Sequence, residues 1–229
     1  MISVLKNWNE IGEATKALRK RRLPHHGLAE KDWDLIQIVR LMAGVAESAP
    51  IVDLGCGGLY TLKLLEAMGF RQLSGIDFKV DLITRPLQLK RLVSKGRLPF
   101  KVHQGDILKT PFPDETFEVA ISLSTIEHNV NLDNFFAEAS RILKPGGRLF
   151  LSTDYWPDGV EQSPDLFGLP WHIFNKNEAE KIPIIAMKYG LQLIDQDSTL
   201  TDAEDRTVVW QGCEYTFLSM AFSKVAPTV

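Results

Sequence analysis

The sequence predicts a doubly wound α/β fold on a mostly parallel sheet that closes on an antiparallel strand. Three observations carry this. From residue 50 onward, short runs that are apolar at successive positions alternate with helical patterns, as strands do when crossover helices cover both faces of a parallel sheet. The first of these runs, residues 51–54, passes directly into Gly55, Gly57 and Gly58, the tight strand-to-helix turn found at the ligand end of such sheets. The tail holds a short apolar run at 191–194 and a long strand-like run at 213–224, with no helical pattern between them. A strand pair joined by a loop is antiparallel.

Taken in order, residues 1–45 read as helices outside the sheet, forming an N-terminal cap or lid. Trp33, Ile36 and Arg40 share one helical spacing, Leu35, Ile38 and Met42 another, and a loop at 23–27 joins the helices. Residues 46–229 form the main domain. After the first strand, Leu62, Leu65 and Met68 repeat at helical spacing. Residues 73–76 are the second strand, followed by a polar helical stretch through Leu92. Residues 100–102 and 117–123 are the third and fourth strands. Leu132, Phe135, Phe136, Ala139, Ile142 and Leu143 make an amphipathic stripe. That helix stops near Lys144, because Pro145 and the glycine pair at 146–147 break it. Residues 148–152 are the fifth strand, and 175–189 a further helix. Between them, residues 155–175 hold three prolines, two tryptophans and two phenylalanines. This stretch reads either as a lid over a substrate or as the packing of an insertion.

Composition narrows the function classes. The 229 residues are 45% apolar and 24% charged, which excludes a disordered, collagenous or coiled-coil chain. A net charge of −3 and a pI near 6.0 argue against a nucleic-acid coat. Two cysteines, Cys56 and Cys213, make neither a disulfide framework nor a four-cysteine zinc site. No apolar run approaches the roughly 18 residues of a membrane span, and the N-terminus lacks the order of a signal peptide. A cytoplasmic setting is the expectation. Charge is uneven: five basic residues lie between Lys16 and Arg22, and five acids between Asp195 and Asp205. Both read first as solvated faces, the basic run alternatively as a guide for an anionic substrate.

Ligands of a doubly wound sheet sit beyond the carboxyl ends of its strands, so the residues there carry the functional reading. Asp53 stands two residues before Gly55. Asp77 ends the second strand, 24 residues after Asp53, where an acid can accept two hydrogen bonds from a ribose diol. Asp106 follows the third strand, placed to hold the amino group of a purine. Each has a plainer role as a helix cap or turn residue. A dinucleotide fingerprint fits poorly, because Tyr60 stands where its third glycine belongs and Asp53 would repel a pyrophosphate while attracting an ammonium. No Walker A lysine pattern is present.

The motifs VDLGCGG (52–58), GID (75–77), GDI (105–107), PFPDETFEVAISLSTIEH (111–128) and LKPGGRLFLS (143–152) resemble, in order and spacing, a class I S-adenosylmethionine-dependent methyltransferase of the type 11 group. The resemblance covers about 100 residues. It implies a Rossmann-like, seven-stranded sheet with a terminal antiparallel strand, and S-adenosyl-L-methionine as cofactor. It also implies that Asp53, with Gly55, Cys56 and Gly57, holds the methionine portion. Asp77 would take the ribose, Phe78 the adenine face, Asp106 and Ile107 the adenine edge, and Ser122 and Leu123 the methionine end. Leu59 stands where the family usually has glycine.

The expected activity is methyl transfer to a small-molecule acceptor by in-line displacement, a reaction that needs alignment and exclusion of water above all. His128, after the fourth strand, is the candidate base; the plainer reading has the Glu127-His128 pair support the turn below the cofactor. Asp154, Tyr155, Trp156 and His172 are the candidate acceptor contacts. His25, His26, His128 and His172 lack metal-ligand spacing, so no metal is expected. Other readings are a methyltransferase of RNA or protein, supported only by the basic run, and a cofactor-binding partner subunit without transfer activity.

Overall fold

The computed structural model describes residues 1–79, 99–160, 165–166 and 168–226. From residue 80 onward, the polar helical stretch expected through Leu92 lies outside the described residues, as do 161–164 and 167 of the aromatic stretch.

Among the described residues, nine strands and five α-helices alternate along the chain. They are β1 (Ile2–Val4), α1 (Trp8–Lys20), α2 (Asp32–Leu41), β2 (Pro50–Leu54), α3 (Tyr60–Ala67), β3 (Gln72–Asp77), β4 (Lys101–Gln104), β5 (Phe117–Leu123), α4 (Leu132–Ile142), β6 (Leu143–Tyr155), α5 (Lys176–Lys188), β7 (Leu191–Leu193), β8 (Val208–Trp210) and β9 (Cys213–Lys224). The main path of the sheet has seven strands in the order β1-β9-β6-β5-β2-β3-β4, and β7 and β8 also pair with β9. The five strands from β6 to β4 are parallel. β9 runs antiparallel to β6 over eight residue pairs, from Arg148↔Ser223 to Tyr155↔Thr216. Its other side is shared by β8, β1 and β7, which leaves this long apolar strand without an open edge.

Alternation along the strands splits the core. Ile51, Ile121, Phe150 and Phe217 face α2 and α3, where Leu35, Ile38, Leu62 and Leu65 meet them. Val52, Ala120, Leu149, Leu151 and Phe222 face α4 and α5, where Phe135, Phe136, Ile142 and Ile182 meet them. β6 is longer than the strand expected at 148–152, because the chain leaves α4 at Ile142 and pairs Leu143 with Phe117 before the glycine pair. Ile2–Val4, expected among helices, is a strand on β9. Three residues are too few to show a period. The two charge runs sit at opposite ends of α1. Arg19 and Lys20 occupy its last turn, and the acidic loop docks at its first turn, where Asn7 donates to Glu204 at 2.7 Å. Both placements suit the helix dipole.

The chain proceeds from β2 outward to β3 and β4, then returns to β5 on the other side of β2. The strand order therefore reverses between β2 and β5, and that opening is where a doubly wound sheet takes its ligand. The turn after β2 is sterically demanding. Gly55 has φ +87°, and a Cβ there would lie 2.4 Å from Thr125 Oγ1. Leu59, the residue before α3, also sits in the left-handed region at φ +63° and ψ +20°, with its side chain buried in the core. The position keeps the backbone that a glycine would adopt freely and adds a packed side chain. Left-handed strain costs about 1–2 kcal/mol, whereas truncating a buried leucine costs about 2–5 kcal/mol. Leu59→Gly is therefore expected to lower stability by roughly 1–3 kcal/mol, read as a lower urea midpoint at unchanged slope.

Candidate functional site

Three carboxylates expected at the strand ends stand around the turn. Asp53 is buried, 1% exposed, and its Oδ1 has no hydrogen-bond partner among the described residues. Burial, reinforced by the nearby negative charge of Asp77 and opposed by the Thr61 hydroxyl, pushes its carboxyl up to about 8. Asp77 Oδ2 accepts from the Gly57 amide at 2.9 Å and Oδ1 from the Lys79 amide at 2.9 Å. It thus shapes the loop as well as facing the opening. Asp106 is exposed and accepts from the Leu108 amide at 2.8 Å, the turn role, while Ile107 beside it is buried. Phe78 is 78% exposed, a ring standing out beside Asp77. The Cys56 side chain turns inward: a Cβ on Gly75 would meet its Sγ at 2.9 Å. Burial pushes that thiol up, so the residue offers backbone and not a nucleophile. Ser122 is fully buried and donates to the Leu54 carbonyl at 3.0 Å; its hydroxyl is spent inside the sheet, next to half-buried Leu123.

The loop between α1 and α2 covers this end of the sheet. Buried Asp32 gathers it, accepting from the Thr15 hydroxyl at 2.8 Å and the His26 amide at 2.9 Å, with His25 Nδ1 also at 2.9 Å. The His26 ring lies 3.8 Å from that of Tyr60, and burial, with Lys31 nearby, lowers its pKa to about 4. Lys31 then reaches across to the Ser124 hydroxyl after β5. Its ammonium lies 3.4 Å from Asp34 Oδ2 and 3.5 Å from the centre of the Phe217 ring.

Lys31 pairs with buried Asp34, and its charge is felt by two further buried carboxyls, Glu127 and Asp154. Trp171 Nε1 donates to Asp154 Oδ2 at 2.8 Å, and the Thr153 hydroxyl to Glu127 Oε2 at 3.3 Å. Burial raises all three carboxyls, while Lys31 opposes it; Asp154 is pushed up to about 6. Lys31, Asp34 and Tyr215 are absent from the sequence-based candidates, while Trp171 falls within the aromatic stretch read as a lid or as packing. Asp34 has the look of an ordinary first-turn helix acid, and Tyr215 lies in a strand pattern far along the chain. Nothing in their spacing distinguishes them.

The candidate acceptor residues separate. Asp154 is the buried carboxyl that Trp171 orients. Tyr155, its neighbour on β6, faces the other way and packs fully buried in the α4–α5 core, because adjacent strand residues point to opposite faces. Trp156 is half-buried, with the Arg206 guanidinium 4.3 Å from its ring centre. His172 pairs with Glu178 at 2.9 Å at the start of α5. His128 is half-buried, held below the ordinary imidazole range by burial and Lys31 against the pull of Asp77. No group of three or more metal-ligating side chains comes together among the described residues. A cleft of about 510 Å³ between β1, α1 and α2 is lined by Lys6, Glu10, Trp33, Gln37 and Arg40. Its lining follows α2 from Trp33 to Arg40 and includes none of the residues at the ends of β2, β3 and β5.

A buried carboxyl with one oxygen unpartnered and no counter-ion fits a ligand that carries a positive charge. At Gly57 a Cβ would approach no atom closer than 3.9 Å, which leaves room for that ligand beside Asp77. Residues 52–151 match the family model described as a methyltransferase domain. The chain is 25% identical over 178 residues to a probable S-adenosylmethionine-dependent methyltransferase of Mycolicibacterium smegmatis, covering 75% of this chain and 64% of that protein. It is 31% identical over 158 residues to phosphoethanolamine N-methyltransferase 3 of Arabidopsis thaliana, covering 69% of this chain and 30% of that one. The chain thus spans less than two thirds of these relatives' lengths. Geranyl diphosphate C-methyltransferase of Streptomyces coelicolor, solved with S-adenosyl-L-homocysteine, shares the fold at a TM-score of 0.60 and 18% identity, covering 88% and 86% of the two chains.

The raised Asp53 carboxyl makes a stability prediction with a definite sign. In the unfolded chain the group ionises near 3.9, and in the ligand-free fold near 8. Between those values the unfolded state sheds the proton and the fold keeps it, so Asp53 lowers ligand-free stability progressively as pH rises from about 4 to 8. Asp53→Asn is expected to raise ligand-free stability at pH 8 by roughly 1–3 kcal/mol and to leave it nearly unchanged at pH 4. Thermal melts at the two pH values check this.

Proposed function

The chain is a member of the class I S-adenosylmethionine-dependent methyltransferases, with residues 52–151 as its methyltransferase domain, and from that premise we propose that it transfers a methyl group to a small-molecule acceptor. The observation that carries the reading is the buried carboxyl of Asp53, its Oδ1 without a partner among the described residues, beside a turn with room at Gly57. Relatives named for phosphoethanolamine and geranyl diphosphate support an acceptor of modest size.

When bound, S-adenosyl-L-methionine supplies a methyl group already activated by its sulfonium charge. The chain's part is to hold and align. Asp53 takes the amino-acid ammonium, and in ionising for it relieves its own burial penalty. Asp77, oriented by the Gly57 and Lys79 amides, keeps lone pairs for the ribose hydroxyls. Phe78, Asp106 and Ile107 border the adenine. The backbone at Gly55, Cys56 and Gly57 and the end of β5 at Ser122 and Leu123 border the methionine chain. The α1–α2 loop, pinned by Asp32 and by the Lys31–Ser124 contact, excludes water from the acceptor side, where Asp154 lies. His128, neutral at pH 7 because its pKa is lowered, can take a proton from an acceptor hydroxyl.

Isothermal titration with S-adenosyl-L-homocysteine, S-adenosyl-L-methionine and NAD tests this. The first two are expected to bind and NAD is not. At pH 7, binding of the homocysteine form should release about one proton, because Asp53 must ionise, and Asp53→Asn should abolish that release. Asp77→Ala removes two charge-assisted hydrogen bonds and should weaken binding roughly 100-fold. NAD binding in place of the sulfur nucleosides would overturn the assignment.

A further inference from the structure

We propose that Lys16, Arg19, Lys20, Arg21 and Arg22, at the C-terminal end of α1, form a docking surface for a lipid bilayer with anionic headgroups, and that docking turns the ligand end of the sheet toward the bilayer. The docking stands without the methyl-transfer reading; only its use, access to a membrane-borne acceptor, rests on that reading.

Helix geometry gathers the charges. Ile11, Ala14 and Leu18 are the buried face of α1, which leaves Lys16, Arg19 and Lys20, at spacings of three and four, side by side on the exposed face. Arg21 and Arg22 continue the run and are exposed too. Among the described residues, none of the five is in an ion pair, although the chain carries a net charge of −3. Like charges at this spacing repel. The helix dipole favours Arg19 and Lys20 in the last turn, but not Lys16 before it. Arg22 is also held at a cost. α1 ends in a Schellman turn, in which the Leu23 amide donates to the Leu18 carbonyl at 3.0 Å and the Arg22 amide to the Arg19 carbonyl at 2.9 Å. Arg22 takes the left-handed position of that turn, at φ +55°, where glycine is held with least strain.

Shape and placement point to a bilayer. The run spans about 9 Å along the helix axis, so it meets several phosphates at once. The loop that follows lies against α1, because Asp32 accepts both from Thr15 on α1 and from the His26 amide. That loop exposes Gly27, Leu28 and Ala29, and Leu28 is 48% exposed. Small and aliphatic residues beside cations suit the boundary between headgroups and acyl chains. A single-stranded nucleic acid needs rings to stack on, and residues 16–22 hold none. Orientation follows from the other end of α1, where Glu204 and Asp205 sit at the first turn. An anionic surface repels that end and attracts the basic one. The same loop reaches the strand ends through His26 on Tyr60 and Lys31 on Ser124, so the end that docks is the end that carries Asp53 and Asp77.

The test is sedimentation of the protein with vesicles of phosphatidylcholine alone and of phosphatidylcholine mixed equally with phosphatidylglycerol. The mixed vesicles are expected to bind at least about tenfold more tightly, and raised salt to weaken that binding by a similar factor. Lys16→Gln, Arg19→Gln and Lys20→Gln combined should weaken it about 100-fold. Arg22→Gly should weaken it about fivefold while raising the melting temperature, because charge and strain leave together; the higher melting temperature shows that the lost binding is not lost folding. Equal binding to the two vesicles, or unchanged binding by the combined variant, would overturn the proposal. So would tighter binding to polyuridylate than to the mixed vesicles, which would make the patch a nucleic-acid surface. Titration with S-adenosyl-L-homocysteine separates the two readings. Nucleoside binding without vesicle selectivity removes the docking surface alone, and vesicle selectivity without nucleoside binding removes the methyl-transfer reading alone.

Discussion

A carboxylate buried without a counter-ion is among the costlier things a fold can hold. At the carboxyl end of β2 that cost makes Asp53 hold its proton up to about pH 8, and the surrounding structure is arranged to keep the group there. Its register against Gly75 on β3 and Ile121 on β5 is set by parallel pairing on both sides. The turn that follows excludes a side chain at Gly55 and stores left-handed backbone at Leu59. The core on both faces of the sheet over-determines the strand, so the penalty at one atom does not relax the backbone. Strain and burial concentrated beside an opening are features of a site awaiting its ligand.

The N-terminal segment is bound into the same end of the molecule. β1 joins the sheet through β9, α2 is a covering layer against β6 and β9, and the loop between α1 and α2 is gathered on Asp32. Lys31 is the crossing point, since it links this loop to Ser124 after β5 and to Asp34. The proposed cofactor and acceptor sides share one short turn, 124–128, between Gly55 on one hand and buried Glu127 and Asp154 on the other. Such a layout brings two reactants into one water-poor space, where alignment accounts for much of a rate enhancement.

What was legible in the amino-acid order follows from how local each signal is. The strand at 51–54, the glycine turn and Asp53 are neighbours in sequence that stay neighbours in the fold, and Asp77 ends the strand paired beside them, so their pattern is readable from strand ends. The antiparallel tail was readable too, because residues 213–224 lack any helical spacing. β1 was not, since three residues carry no period. The equivalence of Asp154 and Tyr155 as acceptor contacts also dissolved, because one step along a strand reverses the side chain's direction.

By itself, the sequence determined the alternation of strands and helices, the turn at Gly55 and the ring of carboxylates around it, because periodicity and glycine placement act over a few residues. Only the tertiary structure decided that Lys31 meets Ser124 across 93 positions, that Asp34 and Asp154 share its charge, and that Phe217 and Tyr215 close the same space. Those contacts depend on which face each strand and helix presents after packing. No local propensity specifies that, because long-range proximity is set by the sheet's register and the crossing of its covering helices.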